Sequence, residues 1–266
     1  MYQFNYHKPE SVEAAIALLQ KSDDGLYLGG GQTLIPTLKQ RLAAPTDLID
    51  LSAIEALSGI TVSADRVRVG AFTRHSAVAG SADIRRTLPV LADLAGLIGD
   101  AQVRNMGTLG GSVANSDPAA DYPAAVIGLG ATVHTQKRAI RGDDYFRNLF
   151  ETALEPGEII THIEFPVPTR AVYKKFPNPA SRYAVVGVLV ADFAGRIRVG
   201  VTGAGPCAFR ASEIEELLNK RLDPAVLDAL EVPDAGFNTD LHASAEYRAH
   251  LVKVMARRAV EELIRL

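Results

Sequence analysis

The sequence predicts an α+β protein in two parts: a larger N-terminal domain over residues 1–168 and a smaller C-terminal α+β domain over 169–266, the latter a three-stranded antiparallel sheet with helices. Three observations predict it. Short strand-like and helix-like segments are mixed over the first part without a strict βαβ rhythm. Pro166-Val167-Pro168 then interrupts the chain, and beyond it three strand-like runs follow one another before helical patterns take over. The length, 266 residues, suits one or two domains at roughly 100–200 residues each.

The elements follow in order. Val12, Ile16 and Leu19 recur at helical spacing behind Pro9 and Ser11, with Glu13 in the first turn where an acid suits the helix dipole. Leu26-Tyr27-Leu28 reads as a strand entering the glycine cluster Gly29-Gly30-Gly31-Gln32-Thr33, and Leu34 to Leu42 as a helix leaving it, closed by Pro45. Leu48 to Leu51 is a short strand, and Ile60 to Val62 with Val67 to Val69 alternate as a hairpin. Helical patterns between Ser76 and Ile98, broken at Gly80 and Pro89, lead to a second cluster, Gly107-Thr108-Leu109-Gly110-Gly111-Ser112. Asp117 as a cap with Pro118 behind it predicts a helix running to about Leu129. Ala131 to Thr135 and Ile140 suggest a hairpin, and Ile159 to Phe165 a strand. Past the break, Ala171 to Phe176, Tyr183 to Phe193 and Ile197 to Thr202 read as strands, with Ala194-Gly195 as a hairpin turn; Glu213 to Leu222, Pro224 to Leu230 and Ala245 to Leu266 read as helices.

Composition narrows the functional classes. A net charge of −3 gives no basic footprint for nucleic acid. No run approaches the ~18 apolar residues of a membrane span and the first residues do not read as a signal sequence, so the expectation is a cytoplasmic protein without a transmembrane segment. One cysteine, Cys207, cannot ligate an iron–sulfur cluster from this chain alone, and no two of the six histidines stand at metal-ligand spacing, so no metal site is expected.

The two glycine clusters, about 80 residues apart, carry the functional signal. Without a Cβ the backbone can approach a ligand closely, and loop N–H groups with the hydroxyls of Thr33, Thr108 and Ser112 can hold a diphosphate without basic side chains. Either cluster alone also reads as an ordinary turn. Neither fits the Gly-x-Gly-x-x-Gly dinucleotide fingerprint or the P-loop with its Lys. Gly203-Ala204-Gly205-Pro206-Cys207-Ala208 does match the former in letters, but it follows an antiparallel meander, and Asp228, the acid about 20 residues on, falls within a predicted helix, so it reads as a turn. No Gly-x-Ser-x-Gly elbow or Ser/His/Asp constellation supports hydrolysis. Asp117 and Asp121 fall four apart on one predicted helical face directly after the second cluster, which suggests a ligand role for at least one.

Leu28 to Pro36 (LGGGQTLIP) and Gln102 to Asp121 (QVRNMGTLGGSVANSDPAAD) closely resemble the two flavin loops of the FAD-binding medium subunits of the molybdenum hydroxylases, the group of carbon monoxide dehydrogenase and xanthine dehydrogenase. Weaker echoes are Glu155 to Ile160 (EPGEII), and Lys175 with Ser181 to Val188 (SRYAVVGV). The resemblance spans nearly the whole chain. It implies a vanillyl-alcohol-oxidase-like flavin fold, not a Rossmann fold, in which subdomains of about 1–54 and 55–168 hold FAD between them. It also implies that Gly29, Gly30, Gly31, Gln32, Thr33 and Leu34, with Thr108, Leu109, Gly110, Gly111 and Ser112, contact the FAD diphosphate and ribityl chain. Asp121, with Asp117 as a further candidate, would contact the nucleotide portion, and the backbone of Ile159 or Ile160 the adenine. Lys175 and Tyr183 would lie near the isoalloxazine ring. Ser112 stands where the family usually has Asn, and Thr33 where it often has Ser; both keep a hydrogen-bonding side chain.

The function so implied is an electron-transfer subunit. Electrons would come from 2Fe-2S clusters in a small partner subunit, fed by a molybdopterin centre in a large one, and would leave to an external acceptor, in a dimer of heterotrimers. A stand-alone FAD-dependent oxidase or reductase of the same fold, and a flavin-free accessory subunit, are the rival readings.

Overall fold

The computed structural model describes residues 1–266. The chain opens with β1 (Asn5–His7), α1 (Val12–Lys21), β2 (Gly25–Leu28), α2 (Leu34–Lys39) and β3 (Asp47–Asp50). These strands pair in parallel in the order β1-β3-β2, with a helix in each of the first two intervals, so the lobe does have a small βαβ rhythm. The sequence does not announce β1, because its three residues are largely exposed and alternate nothing. Ser11 caps α1 by accepting from the Ala14 N–H at 3.1 Å, and α1 seats Ala15 on Ile49, Leu51 and Ile54. Helix α2 stops short of Leu42, and the chain turns through Arg41 at φ +60°.

The second lobe runs through β4 (Ile60–Val62), β5 (Arg66–Gly70), α3 (His75–Gly80), α4 (Ala82–Thr87), α5 (Pro89–Gly96), α6 (Ala101–Met106), α7 (Leu109–Asn115) and α8 (Tyr122–Gly128). It continues with β6 (Thr132–Thr135), β7 (Ala139–Arg141), β8 (Phe146–Asn148), β9 (Glu151–Thr152) and β10 (Ile160–Pro166). Five strands form an antiparallel sheet in the order β4-β5-β10-β6-β7, whose inward residues Val67, Val69, Ile163 and Phe165 meet Leu91, Leu94, Leu109 and Tyr122 from the helices. The helical breaks fall where Gly80 and Pro89 place them: Ser81 caps α4 through the Ile84 N–H, and Pro89 opens α5.

The C-terminal part comprises β11 (Arg170–Pro177), β12 (Ala184–Phe193), β13 (Arg196–Thr202), β14 (Phe209–Arg210), α9 (Ser212–Lys220) and α10 (Ala245–Leu263). Its antiparallel sheet, β11-β12-β13-β14, has a fourth strand that the sequence reading lacks, since two residues carry no periodicity. The expected helix over Pro224–Leu230 is a single 3-10 turn, Pro224–Leu227. Ala194 and Gly195, at φ +53° and +93°, make the hairpin turn. Strand β12 is apolar from Ala184 to Ala191 because both faces are covered: Val186, Val188 and Val190 meet Val252, Met255 and Ala256 of α10, while Leu189 and Ala191 join the core of the second lobe.

One expected element moves. The helix assigned to Asp117–Leu129 begins only at Tyr122, so Asp117 and Asp121 do not share a helical face. The carbonyls of Pro118, Ala119 and Ala120 are engaged by the C-terminal sheet instead of a helical ladder. The Gly203 N–H reaches Pro118 O at 2.7 Å, the Ala184 N–H reaches Ala119 O at 3.1 Å, and the Thr202 hydroxyl lies 2.9 and 2.7 Å from the oxygens of Pro118 and Ala120. Beyond this seam every residue of α8 is buried, and a Cβ on Gly200 of β13 would sit 2.3 Å from Ala124 O and 2.5 Å from Gly128 N. Gly200→Ala is therefore expected to overpack helix against strand and lower unfolding stability by about 1–3 kcal/mol, read as a lower urea midpoint; an unchanged midpoint would show that the contact relaxes freely.

Candidate functional site

A cavity of about 650 Å³ lies between the N-terminal lobe and the helices of the second lobe, within the roughly 300–1,000 Å³ of small-molecule sites. Its first wall is the loop from β2 to α2, at the carboxyl end of a parallel strand, where open α/β sheets bind ligands. The backbone N–H groups from Gly29 through Leu34 donate to no acceptor in the chain. Gly31 sits at φ +74°, a conformation that favours glycine, and a Cβ on Gly30 would lie 2.3 Å from Met106 O and 2.6 Å from the Gly107 Cα. The loop thus passes directly over the second cluster, with six N–H groups unspent.

The second cluster behaves differently. It is a turn at Gly107 followed by the first turn of α7, capped by Thr108, whose hydroxyl oxygen accepts from the Gly111 N–H at 3.2 Å. The N–H groups of Leu109 and Gly110 donate to Thr73 O and Ala71 O at 3.0 and 2.8 Å, and that of Ser112 to Thr108 O at 3.0 Å. The expectation of a second free N–H loop is corrected: of Thr108 to Ser112 only Thr108 keeps an unengaged N–H, and the Ser112 hydroxyl has no partner. Leu109 is fully buried and does not line the cavity, whereas Thr108, Gly110, Gly111 and Ser112 do. A Cβ on Gly110 would strike Ala71; on Gly111 it would face Thr108 Oγ1 at 2.8 Å and the Gly30 nitrogen at 3.9 Å.

Gln32, Thr33, Leu34, Asp117, Asp121, Ile159, Ile160 and Tyr183 also line the cavity. Asp117 closes a turn by accepting from the Ala119 N–H at 2.8 Å, and burial pushes its carboxyl up. Asp121 accepts from the Tyr173 hydroxyl at 2.6 Å and from Lys175 Nζ at 2.8 Å; burial raises its carboxyl against the pull of both partners. Lys175 stands behind Asp121, buried, with a further bond to Leu97 O at 3.1 Å, and is not part of the lining. Tyr183 is about half-exposed in the lining, and the partial covering of its hydroxyl, with Asp117 and Asp121 nearby, raises it. The Ile159 N–H donates to Gln136 Oε1 at 2.7 Å and Ile159 O accepts from the Gln136 N–H at 3.2 Å, so its backbone polar groups are engaged. Glu158 holds this corner: two 3.0 Å bonds from Arg138 bring its carboxyl down to about 2.

Sequence reasoning missed His75, Asn115, Glu158 and Arg182 in the lining. Asn115 lies inside the second stretch that resembles a flavin loop, and Glu158 and Arg182 inside the weaker echoes of the family; His75 carries no signal in the sequence. No group of three or more His, Cys, Asp or Glu is arranged to hold a metal ion, and no helix is long and apolar enough to cross a membrane.

Residues 2–168 match the family described as the FAD binding domain in molybdopterin dehydrogenase, and residues 171–263 the CO dehydrogenase flavoprotein C-terminal domain. The chain belongs to the FAD-binding medium subunits of the molybdenum hydroxylases. It is 37% identical to the carbon monoxide dehydrogenase medium chain of Afipia carboxidovorans, over 97% of this chain and 96% of that one. It is 33% identical to the glyceraldehyde dehydrogenase medium chain of Sulfolobus acidocaldarius, over 98% of both. A crystal structure of Cu,Mo-CO dehydrogenase in its cyanide-inactivated form superposes with a TM-score of 0.90 at 36% identity, covering 99% of this chain and 98% of its counterpart. This medium subunit is accordingly the FAD-carrying electron-transfer subunit of an oxidoreductase complex, and its molybdenum and iron–sulfur centres belong to other subunits. The cavity fits that cofactor: the residues that carry the unspent N–H groups line it, and a Cβ on Gly30 would crowd the approach of the two loops.

The buried His75 gives the site a pH dependence. Burial, with Arg104 adding to it, brings the imidazole down to about 4; burial also brings His162, stacked on His134, to about 4. The unfolded chain takes up these protons near pH 6.5. Their contribution to stability is therefore complete above pH 6.5 and is lost as pH falls toward 4. Urea midpoints measured across that window should decline less steeply for His75→Gln than for the parent; equal slopes would remove His75 from the account.

Proposed function

We propose that Gly29 through Leu34 and Thr108 through Ser112 hold the FAD diphosphate and ribityl chain between the two lobes. The run of unspent N–H groups from Gly29 to Leu34, in a cavity whose one cationic lining residue is Arg182, carries this reading. The Thr108 and Ser112 hydroxyls add donors, and Leu109 contributes only by anchoring the first turn of α7 in the core. Asp117 and Asp121 offer acceptors for sugar hydroxyls. The side chains of Ile159 and Ile160 wall the adenine end; with the Ile159 N–H and carbonyl engaged by Gln136, a backbone contact to the adenine falls to Ile160. Tyr183 covers the ring at the mouth. Lys175 acts one step back, neutralising Asp121 so that the buried carboxylate does not repel the diphosphate.

The flavin ring supplies exchange between one-electron carriers and a two-electron acceptor. The chain's residues bind and orient it; with one cysteine they offer no cluster relay of their own. The reading extends to a cytoplasmic dimer of heterotrimers with a small iron–sulfur subunit and a large molybdopterin subunit, passing electrons to an external acceptor. It also takes 1–168 as the FAD domain, with lobes of about 1–54 and 55–168, and 169–266 as the C-terminal domain.

The purified chain should show a flavin absorbance spectrum and release FAD on denaturation. Gly111→Asp, which aims a carboxylate at the N–H loop, should lower FAD affinity at least about tenfold, roughly 1.4 kcal/mol, with circular dichroism unchanged. Full flavin content in the folded variant would overturn the assignment. Gly110→Asp is the control for seating, since its side chain would meet Ala71 and should destabilise the fold itself. Affinity capture of the tagged subunit from its own cells should recover iron–sulfur and molybdopterin subunits; capture of the chain alone would overturn the complex.

A further inference from the structure

On the far side of α8 from the flavin cavity, a second cavity of about 280 Å³ opens where three segments meet. They are the α8–β6 connection (Leu129 to Ala131), the β7 end at Arg141 to Asp143, and the β12–β13 hairpin at Phe193, Arg196 and Arg198, beside Pro166 at the domain junction. Three arginines line it against one carboxylate. Asp143 is already shared: Arg198 Nη2 lies 2.6 Å from it, Arg141 Nη2 3.6 Å, and Arg210 Nη1 3.6 Å. Arg196 is exposed and has no acidic partner.

Arg198 is the decisive group. It is buried, and a guanidinium in that setting requires several acceptors. Its Nη2 also reaches Ile127 O at 2.8 Å, but Nε is buried with no partner and Nη1 has no acceptor in the chain. Gly130, at φ +64°, leaves the space that the guanidinium occupies, 3.2 Å from where a Cβ would stand. A buried cation whose Nη1 lacks an acceptor, with two more arginines lining the same open corner, is matched by a tetrahedral oxyanion that can bond several guanidinium groups at once.

We propose that this corner binds a phosphoryl oxyanion, bridging the FAD domain and the C-terminal hairpin. The ligand class is inorganic phosphate or the phosphate group of a small phosphorylated metabolite. The test is calorimetric titration of the FAD-saturated full-length chain, so that the glycine loops are occupied, at constant ionic strength balanced with chloride. Inorganic phosphate is the first titrant and AMP the second. The expected result is one saturable site per chain, weakened at least about tenfold by Arg196→Glu and by Arg141→Glu with FAD content unchanged. Equal affinity for the two titrants identifies the free oxyanion, and tighter AMP binding identifies a phosphorylated metabolite. Absence of saturable binding into the tens of millimolar, binding only to flavin-free protein, or binding that both charge reversals leave unchanged would each overturn the proposal.

Discussion

The seam at Pro118 to Asp121 joins the C-terminal sheet to the cofactor-binding part and shapes the cavity at once. Of these four residues, three give their carbonyls to β12, β13 and the residue after it, and the fourth, Asp121, receives Tyr173 and Lys175 from β11. A carboxylate so far from water is tolerable only because a cation and a hydroxyl meet both oxygens; without Lys175 it would be a buried unpaired charge. Gly187 leaves room for the arrangement, since a Cβ there would fall 2.2 Å from the Tyr173 oxygen. The same carboxylate lines the cavity, so the C-terminal sheet fixes one wall of a site it does not otherwise form, apart from the Ser181-Arg182-Tyr183 loop at the mouth.

The two glycine loops are complementary in hydrogen bonding as well as in shape. The second spends its N–H groups on Ala71, Thr73 and its own cap, which makes it a rigid floor; the first spends none from Gly29 to Leu34 and is held by steric contact with that floor. Glycine is required at Gly30 by the Met106 carbonyl and at Gly31 by a positive φ. A loop whose donors have no partner in the chain is left to hydrogen-bond water, so an arriving anion exchanges those water contacts for fixed N–H bonds without breaking any bond within the chain.

Much of this was legible in the sequence. Strand and helix positions followed from periodicity wherever one face is buried: β5 alternates Val67 and Val69, and α1 repeats Val12, Ile16 and Leu19. Both glycine clusters line the cavity, as do Asp117, Asp121, Ile159, Ile160 and Tyr183. The failures have physical causes. Pro118 reads as a helix start because capping rules are local, and hydrogen bonds from strands more than sixty residues away override them. Strands β1 and β14, of three and two residues, are defined by partners and not by their own pattern. The pairing of Lys175 with Asp121, 54 residues away, is likewise invisible in the sequence, because no local signal links the two.

The charge distribution explains why the site can use so few cations. Asp117, Asp121 and Glu158 all line the cavity, but Asp121 is neutralised by Lys175 and Glu158 by Arg138. Only Asp117 lacks an ion-pair partner, and burial favours its neutral form. A diphosphate therefore enters a cavity whose formal charges are largely compensated and meets fixed N–H dipoles. Dipoles at short range, set in a low-dielectric cleft, are screened by salt far less than exposed lysines would be. Retention of the cofactor then rests on loop geometry: a side chain at Gly30 would meet the other loop within 3 Å, whereas one at Gly111 would meet Thr108 Oγ1 of its own loop at 2.8 Å and reach toward the Gly30 nitrogen.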